Sequence, residues 1–293
     1  MVRRRGWLRR TLGKHAAFTP GELRIGLALG GGFARGIAHV GILRVLEREQ
    51  IPLHCVTGVS AGAIVAAAFA SGATSEEIGQ VGSAMRFADV ARWSLCRLGL
   101  AHSERMTKFL TRLLRNRRFE EMKIPLGVIA TDIQKGEPVC FHGSGDVAMA
   151  IRASCSYPGL FRPLEYGGRI LVDGAMSVEV PAQLARTMGA THVISVCIPA
   201  PHDDSEPHNM FEVINRCFQI MMERNENSWR RYSDAVIVPQ VGNIPWDGFG
   251  SALRMIDEGE RAAEEALPRI RMWLKRSRSE GTRLAPLSVP ETV

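Results

Sequence analysis

A serine held between two glycines, Gly58-Val59-Ser60-Ala61-Gly62, follows the apolar run Leu53 to Thr57 and leads into an alanine-rich stretch. That is the strand-turn-helix context of a nucleophile elbow, where the flanking glycines let the chain reverse sharply and leave the hydroxyl exposed. A serine hydroxyl is a poor nucleophile at its free pKa. It needs a base within hydrogen-bond reach and N–H donors for the oxyanion it creates. The donors are offered upstream by Leu29-Gly30-Gly31-Gly32-Phe33-Ala34-Arg35-Gly36, whose loop amides lie at the start of a helix and can face an anion. No Gly-Lys-Ser/Thr follows, which excludes a P-loop, and Arg35 stands where the last glycine of a dinucleotide fingerprint would fall. For the base, the strand Arg169 to Val172 ends in Asp173-Gly174-Ala175, putting a carboxylate at a strand end. Taken alone, an Asp-Gly pair is a turn signal; beside Ser60 and the glycine loop it completes a serine acyl hydrolase.

A histidine triad is the rival arrangement. His192, His202 and His208 all follow Asp173, in the order Ser, acid, His of an α/β-hydrolase. His192 opens an apolar strand, the other two sit in or directly after a polar loop spanning 199–207, and His39 falls inside the helix after the glycine loop, where it reads as packing. None is better placed than Asp173.

These residues need a scaffold, and strands alternate with helices from Arg24 onward. Strands are expected at Ile25–Leu29, Leu53–Thr57, Leu126–Ala130, Val139–His142, Arg169–Val172, His192–Ile198 and Ala235–Pro239. Helices are expected at 36–50, 61–71, 75–86, 103–117, 147–154, 180–188, 210–232 and 256–275. The alternation predicts a three-layer α/β/α fold with a mainly parallel central sheet. Residues 23–275 would form one catalytic domain, preceded by a basic arm (1–22) and followed by a flexible tail (276–293). The stretch from Met85 to Phe119 mixes Arg, Leu, Met and Trp, and reads either as a cap over the site or as an ordinary amphipathic helical insertion.

The 293 residues are 45% apolar, enough to fill one large core. Net charge is +7, and six positives (Arg3, Arg4, Arg5, Arg9, Arg10, Lys14) stand in the first twenty residues without an acid. Nucleic-acid binders spread a basic face through the fold; an arm that also carries Trp7, Leu8 and Leu12 suits an anionic lipid surface, the plain alternative being a solvated terminus. The six cysteines are scattered without metal-binding spacing, which points to a reducing, cytoplasmic setting, with peripheral contact at the inner face of the membrane. No apolar run reaches transmembrane length, and nothing reads as a secretory signal.

Gly30-Gly31-Gly32-x-x-Arg35-Gly36, Gly58-x-Ser60-x-Gly62 and Asp173-Gly174-Ala175 resemble the patatin-like phospholipase family in order and character. Ala130-Thr131-Asp132, the run Arg152 to Phe161 and the late Ile256-Asp257-Glu258-Gly259-Glu260 extend the resemblance over roughly Leu23 to Leu274. What the resemblance implies is a lipid acyl hydrolase, of phospholipase or lysophospholipase type, with a Ser60–Asp173 dyad, an acyl-enzyme and no cofactor or metal. The oxyanion would face the amides of Gly31, Gly32 and Ala61, and Arg35 would brace the glycine loop or meet the anionic end of the substrate. The implied partners are a lipid ester and an anionic membrane, not nucleic acid; oligomeric state stays open. In one respect the chain departs from the family, whose members often carry Asn shortly after the Asp-Gly turn; here the segment is Met176-Ser177-Val178-Glu179-Val180-Pro181. A second reading, a lipid-binding or regulatory protein that keeps the fold and hydrolyses little, would be favoured by loss of Ser60 or Asp173, and both are present.

Overall fold

The computed structural model describes residues 22–199 and 206–283. In chain order the strands are β1 (Ile25–Leu29), β2 (Leu53–Val59), β3 (Arg92–Cys96), β4 (Gly99–His102), β5 (Leu126–Asp132), β6 (Glu137–His142), β7 (Leu164–Tyr166), β8 (Arg169–Asp173), β9 (His192–Val196) and β10 (Ala235–Ile237). The helices are α1 (Ala38–Arg48), α2 (Ala61–Ala70), α3 (Ser75–Ala84), α4 (Phe87–Val90), α5 (Glu104–Leu113), α6 (Val147–Ser154), α7 (Ala182–Thr187), α8 (Met210–Arg230) and α9 (Ala252–Arg283).

Eight strands form one mixed, mostly parallel sheet in the order β10-β9-β1-β2-β5-β8-β7, with β6 also on β5, and helices flank it as expected. β1 and β5 are buried along their whole length, which is why they read as unbroken apolar runs instead of alternating ones. The mixed part of the sheet decides the site. Gly127 of β5 pairs with both Thr57 of β2 and His142 of β6, and Ala130 pairs with both Asp173 of β8 and Val139 of β6. A strand has two edges, so β2 and β8 share the edge that β6 leaves, and their C-terminal ends meet head-on there.

A second device is the crossing of α1 and α9. A side chain on Gly41 would strike the Ile256 carbonyl, and one on Gly259 the Ala38 carbonyl, so the two helices touch backbone to backbone. This is the use of the glycine in Ile256-Asp257-Glu258-Gly259-Glu260. Arg44 bonds Glu260 at 3.0 Å across the same contact.

The structure departs from the expected elements in three places. The stretch from Met85 to Phe119 is not one helical insertion: it holds α4, an antiparallel hairpin of β3 and β4, and α5, because Arg92-Trp93 and Gly99-Leu100-Ala101-His102 pair across the sharp turn before Gly99. β7 was not expected and pairs with β8. The boundary expected at 276 falls inside α9, which continues to Arg283; a helix already packed at its start propagates by one hydrogen bond per added residue and needs no apolar period there. The basic arm, His202 with residues 200–205, and the tail beyond 283 lie outside the described residues.

Candidate active site

Ser60 sits where β2 ends and α2 begins, at φ 53° and ψ −125°, a left-handed conformation strained for any residue with a side chain. The sequence imposes it from both sides. A Cβ on Gly58 would collide with Ala63, and one on Gly62 with the Gly30 carbonyl, so the elbow closes only with glycine at both. The Ser60 N–H donates to the Ser154 hydroxyl (2.8 Å), which in turn donates to the Ile129 carbonyl (2.6 Å). Ser154, within the Arg152 to Phe161 run, thus pins the elbow to β5.

The Ser60 hydroxyl donates to Asp173 Oδ2 at 2.7 Å. Asp173 is buried, and its other oxygen accepts from the Ala175 N–H at 2.9 Å. Burial pushes the Asp173 carboxyl up to about 7, against the Ala175 N–H and the Ser60 hydroxyl, which favour the charged form. Its backbone is held as well: the Asp173 N–H donates to the Ser156 carbonyl, and the Thr131 hydroxyl donates to the Asp173 carbonyl, both at 2.9 Å. Thr131 and Ser177 hydroxyls meet at 2.8 Å. In this segment, which lacks the family's Asn, Thr131 braces the Asp173 backbone and Ser177 bonds Thr131 and the Gly174 carbonyl.

The glycine loop follows β1. A Cβ on Gly31 would stand 3.4 Å from that of Ser60, so this residue lies directly over the nucleophile. The N–H groups of Gly31, Gly32 and Ala61 have no acceptor among the described residues, while the Ser60 N–H is taken by Ser154. Beneath the loop His39 is fully buried, and its Nε2–H donates to the Gly30 carbonyl at 2.9 Å; burial lowers its pKa to about 4, so the ring is a neutral prop. Arg35 is also buried, donates to the Pro199 carbonyl at 3.1 Å and has its pKa lowered to about 10 by burial. It ties the glycine loop to the segment after β9. Phe33, at φ 51°, packs edge-on between Tyr157 and Trp246.

The other histidines are elsewhere. His192 pairs with Ile25, at the start of β1, whereas the glycine loop leaves the far end of that strand; its ring lies tilted against Trp273, centroids 4.9 Å apart. His208 is exposed beside Glu212.

Ser60 opens on two hollows. One, of about 230 Å³, is lined by Gly30 to Phe33, Arg35, Asp173, Tyr157, Glu179 and the α8 residues Asn215, Gln219, Met222, Glu223, Glu226 and Arg230. The other, of about 70 Å³, is apolar, walled by Phe33, Ile64, Met85, Phe87, Val90, Met106, Phe161, Trp246 and Phe249. Glu179, Ser154 and Phe33 were not singled out from sequence. Glu179 carried a signal, as the acid in the segment that departs from the family: it is half-buried and accepts from Trp229 Nε1–H (2.8 Å) and the Cys197 thiol (3.4 Å), and burial raises its pKa. Among the described residues no three His, Cys, Asp or Glu side chains cluster to hold a metal, and no helix is long and apolar enough to cross a membrane.

The sequence profile described as Patatin-like phospholipase matches residues 27–186. The chain is 30% identical over 248 residues to "Lysophospholipase NTE1" of Mycosarcoma maydis, across 82% of this chain and 13% of that protein. It is 30% identical over 200 residues to an uncharacterized NTE family protein of Mycobacterium tuberculosis, across 66% of this chain and 55% of the relative. It therefore spans well under two thirds of either. The crystal structure of VipD from Legionella pneumophila matches with a TM-score of 0.55 at 14% identity, covering 84% of this chain and 67% of that one, a likeness of fold.

Proposed function

This chain belongs to the patatin-like phospholipase family, and on that premise we propose that it hydrolyses carboxylic esters of lipids through a Ser60–Asp173 dyad. The observation that carries the reading is the 2.7 Å hydrogen bond from the half-buried serine of the elbow to a buried carboxylate. Ser60 Oγ attacks the ester carbonyl as its proton passes to Asp173. The oxyanion takes the N–H groups of Gly31, Gly32 and Ala61. Collapse expels the alcohol, which receives the proton from Asp173 and leaves an acyl-Ser60. Water then gives Asp173 a proton as it attacks the acyl carbon, and collapse returns that proton to Ser60. The apolar groove suits the acyl chain, and the larger, more polar hollow suits the leaving alcohol. Arg35 braces the glycine loop from the Pro199 side. The catalytic unit extends from residue 23 into α9, and the basic arm before it is a peripheral contact for an anionic membrane.

A fluorophosphonate tests this directly, since only an activated serine reacts with it. Labelling of Ser60 should accelerate as pH rises through about 7 and level off above, because below that range burial keeps Asp173 protonated and unable to accept. Labelling absent at every pH, in folded protein, would remove the hydrolase reading.

Gly31→Val gives a second check. Its extra methyls would press on Ser60 and displace the loop amides, which act on charge present only in the transition state. Turnover should fall on the order of 100-fold, the loss typical of one oxyanion donor, with little change in the Michaelis constant. A raised Michaelis constant at unchanged turnover would assign the loop to substrate binding instead.

A further inference from the structure

The N-terminal arm is not the only basic segment. Between Arg86 and Arg118 the chain carries nine Lys and Arg against two acids, within the stretch that folds as α4, the β3–β4 hairpin and α5. Arg115 and Arg118 are neutralised by Glu77 and Glu120. Arg92, Arg97, Arg105, Lys108 and Arg112 are exposed and have no carboxylate partner among the described residues. On α5 the last three recur on one face, opposite the buried Met106, Phe109, Leu110 and Leu113.

The hairpin between these charges is apolar where a soluble surface would be polar. Trp93 is 63% exposed, Leu98 60% and Leu100 41%. The exposed Trp93 is also not isolated. Its ring lies against Phe87, centroids 5.1 Å apart, and Phe87 in turn walls the apolar groove that ends at Ser60. The hairpin is seated beside that groove through the N–H groups of Leu100 and Ala101, which both donate to the Leu160 carbonyl.

We propose that the β3–β4 hairpin, with the basic face of α5 that follows it, is a docking surface for an anionic lipid bilayer. Trp93, Leu98 and Leu100 enter the headgroup layer, the cations without a carboxylate partner meet lipid phosphates, and the groove mouth at Phe87 is held against the membrane so that an acyl chain passes to Ser60 without crossing water. An acidic protein or a nucleic acid would be met by the charges but gives the exposed Trp93 and the two leucines nothing to enter. The choice of a bilayer rests on the lipid-ester reading of the site.

The test uses the full chain, so that the N-terminal arm is constant, with vesicles of phosphatidylcholine alone or mixed equally with phosphatidylglycerol. Two double variants are compared: Arg92→Glu with Arg97→Glu, and Trp93→Ser with Leu98→Ser. Wild type should co-sediment with the mixed vesicles at about 0.1 M salt and far less at about 1 M, where the Debye length shrinks from about 10 to about 3 Å. Each double variant should bind at least about tenfold more weakly, since each basic residue near the surface and each buried apolar group contributes to attachment. Hydrolysis of a short-chain, water-soluble ester should be unchanged in both, which also reports that they fold. Vesicle binding within twofold of wild type in both variants overturns the proposal. So does retention on heparin or DNA without vesicle binding, which gives the patch to a soluble polyanion. Loss of soluble-ester hydrolysis in wild type would instead strike the hydrolase reading, leaving the vesicle result to stand by itself.

Discussion

Ser60→Ala is expected to abolish ester hydrolysis and fluorophosphonate labelling, while Tm moves little. The hydroxyl is the nucleophile on the elbow, and it donates to Asp173. Alanine retains Cβ, so the strained φ of 53° is kept and the Ser60 N–H bond to Ser154 is untouched. Removing one hydroxyl at such a turn changes stability by about 1 kcal/mol or less. Ser60→Gly is the informative companion: it is equally inactive, and by relieving the left-handed conformation it should be more stable than Ser60→Ala. Turnover retained by either folded variant would end the dyad.

Asp173→Asn should lower turnover by about 100-fold or more, the range for losing a general base, and should raise stability in a pH-dependent way. The amide still accepts from the Ala175 N–H and fits the same space, but it takes no proton from Ser60. For the wild type the sign is set by the raised carboxyl. In the unfolded chain it titrates near 4, in the fold at about 7, so the native state binds the proton more tightly and stability is lost as pH climbs between the two. Asparagine has no such loss. Its Tm should exceed that of wild type at pH above about 8, by a difference on the order of 4 kcal/mol in stability, and converge on it as pH falls toward about 4. His192→Ala should leave turnover unchanged, since its ring packs against Trp273 at the opposite end of strand β1 from the glycine loop. A large loss in His192→Ala with activity kept in Asp173→Asn would replace the dyad by a triad.

The elements that carry chemistry were legible because their constraints are local. Gly58 and Gly62 are required by contacts within a few residues or with the adjacent loop, and β1 and the Leu126 to Ala130 part of β5 announce themselves as continuous apolar runs because both of their faces are covered. The β3–β4 hairpin was not legible. Its strands are short, Trp93, Leu98 and Leu100 are exposed where alternation would bury one face, and tryptophan and leucine at those spacings serve a helix face equally well. Ser154 and Phe33 were missed for a different reason. Their residue types are ordinary, and what makes them part of the site is a bond to an amide 94 residues away and a pair of ring contacts with Tyr157 and Trp246.

By itself the sequence determined the elbow, the glycine loop, an acid at a strand end and a mainly parallel sheet with helices on it, since each follows from spacing and periodicity. That Ser60 and Asp173 touch was decided only in three dimensions. They are 113 residues apart, and the contact exists because β6 occupies one edge of β5, leaving β2 and β8 to share the other and to end against each other. The basicity of Asp173 was decided there too, because the pKa of a carboxyl depends on the water it loses, and only the packed sheet and the α6 turn remove it.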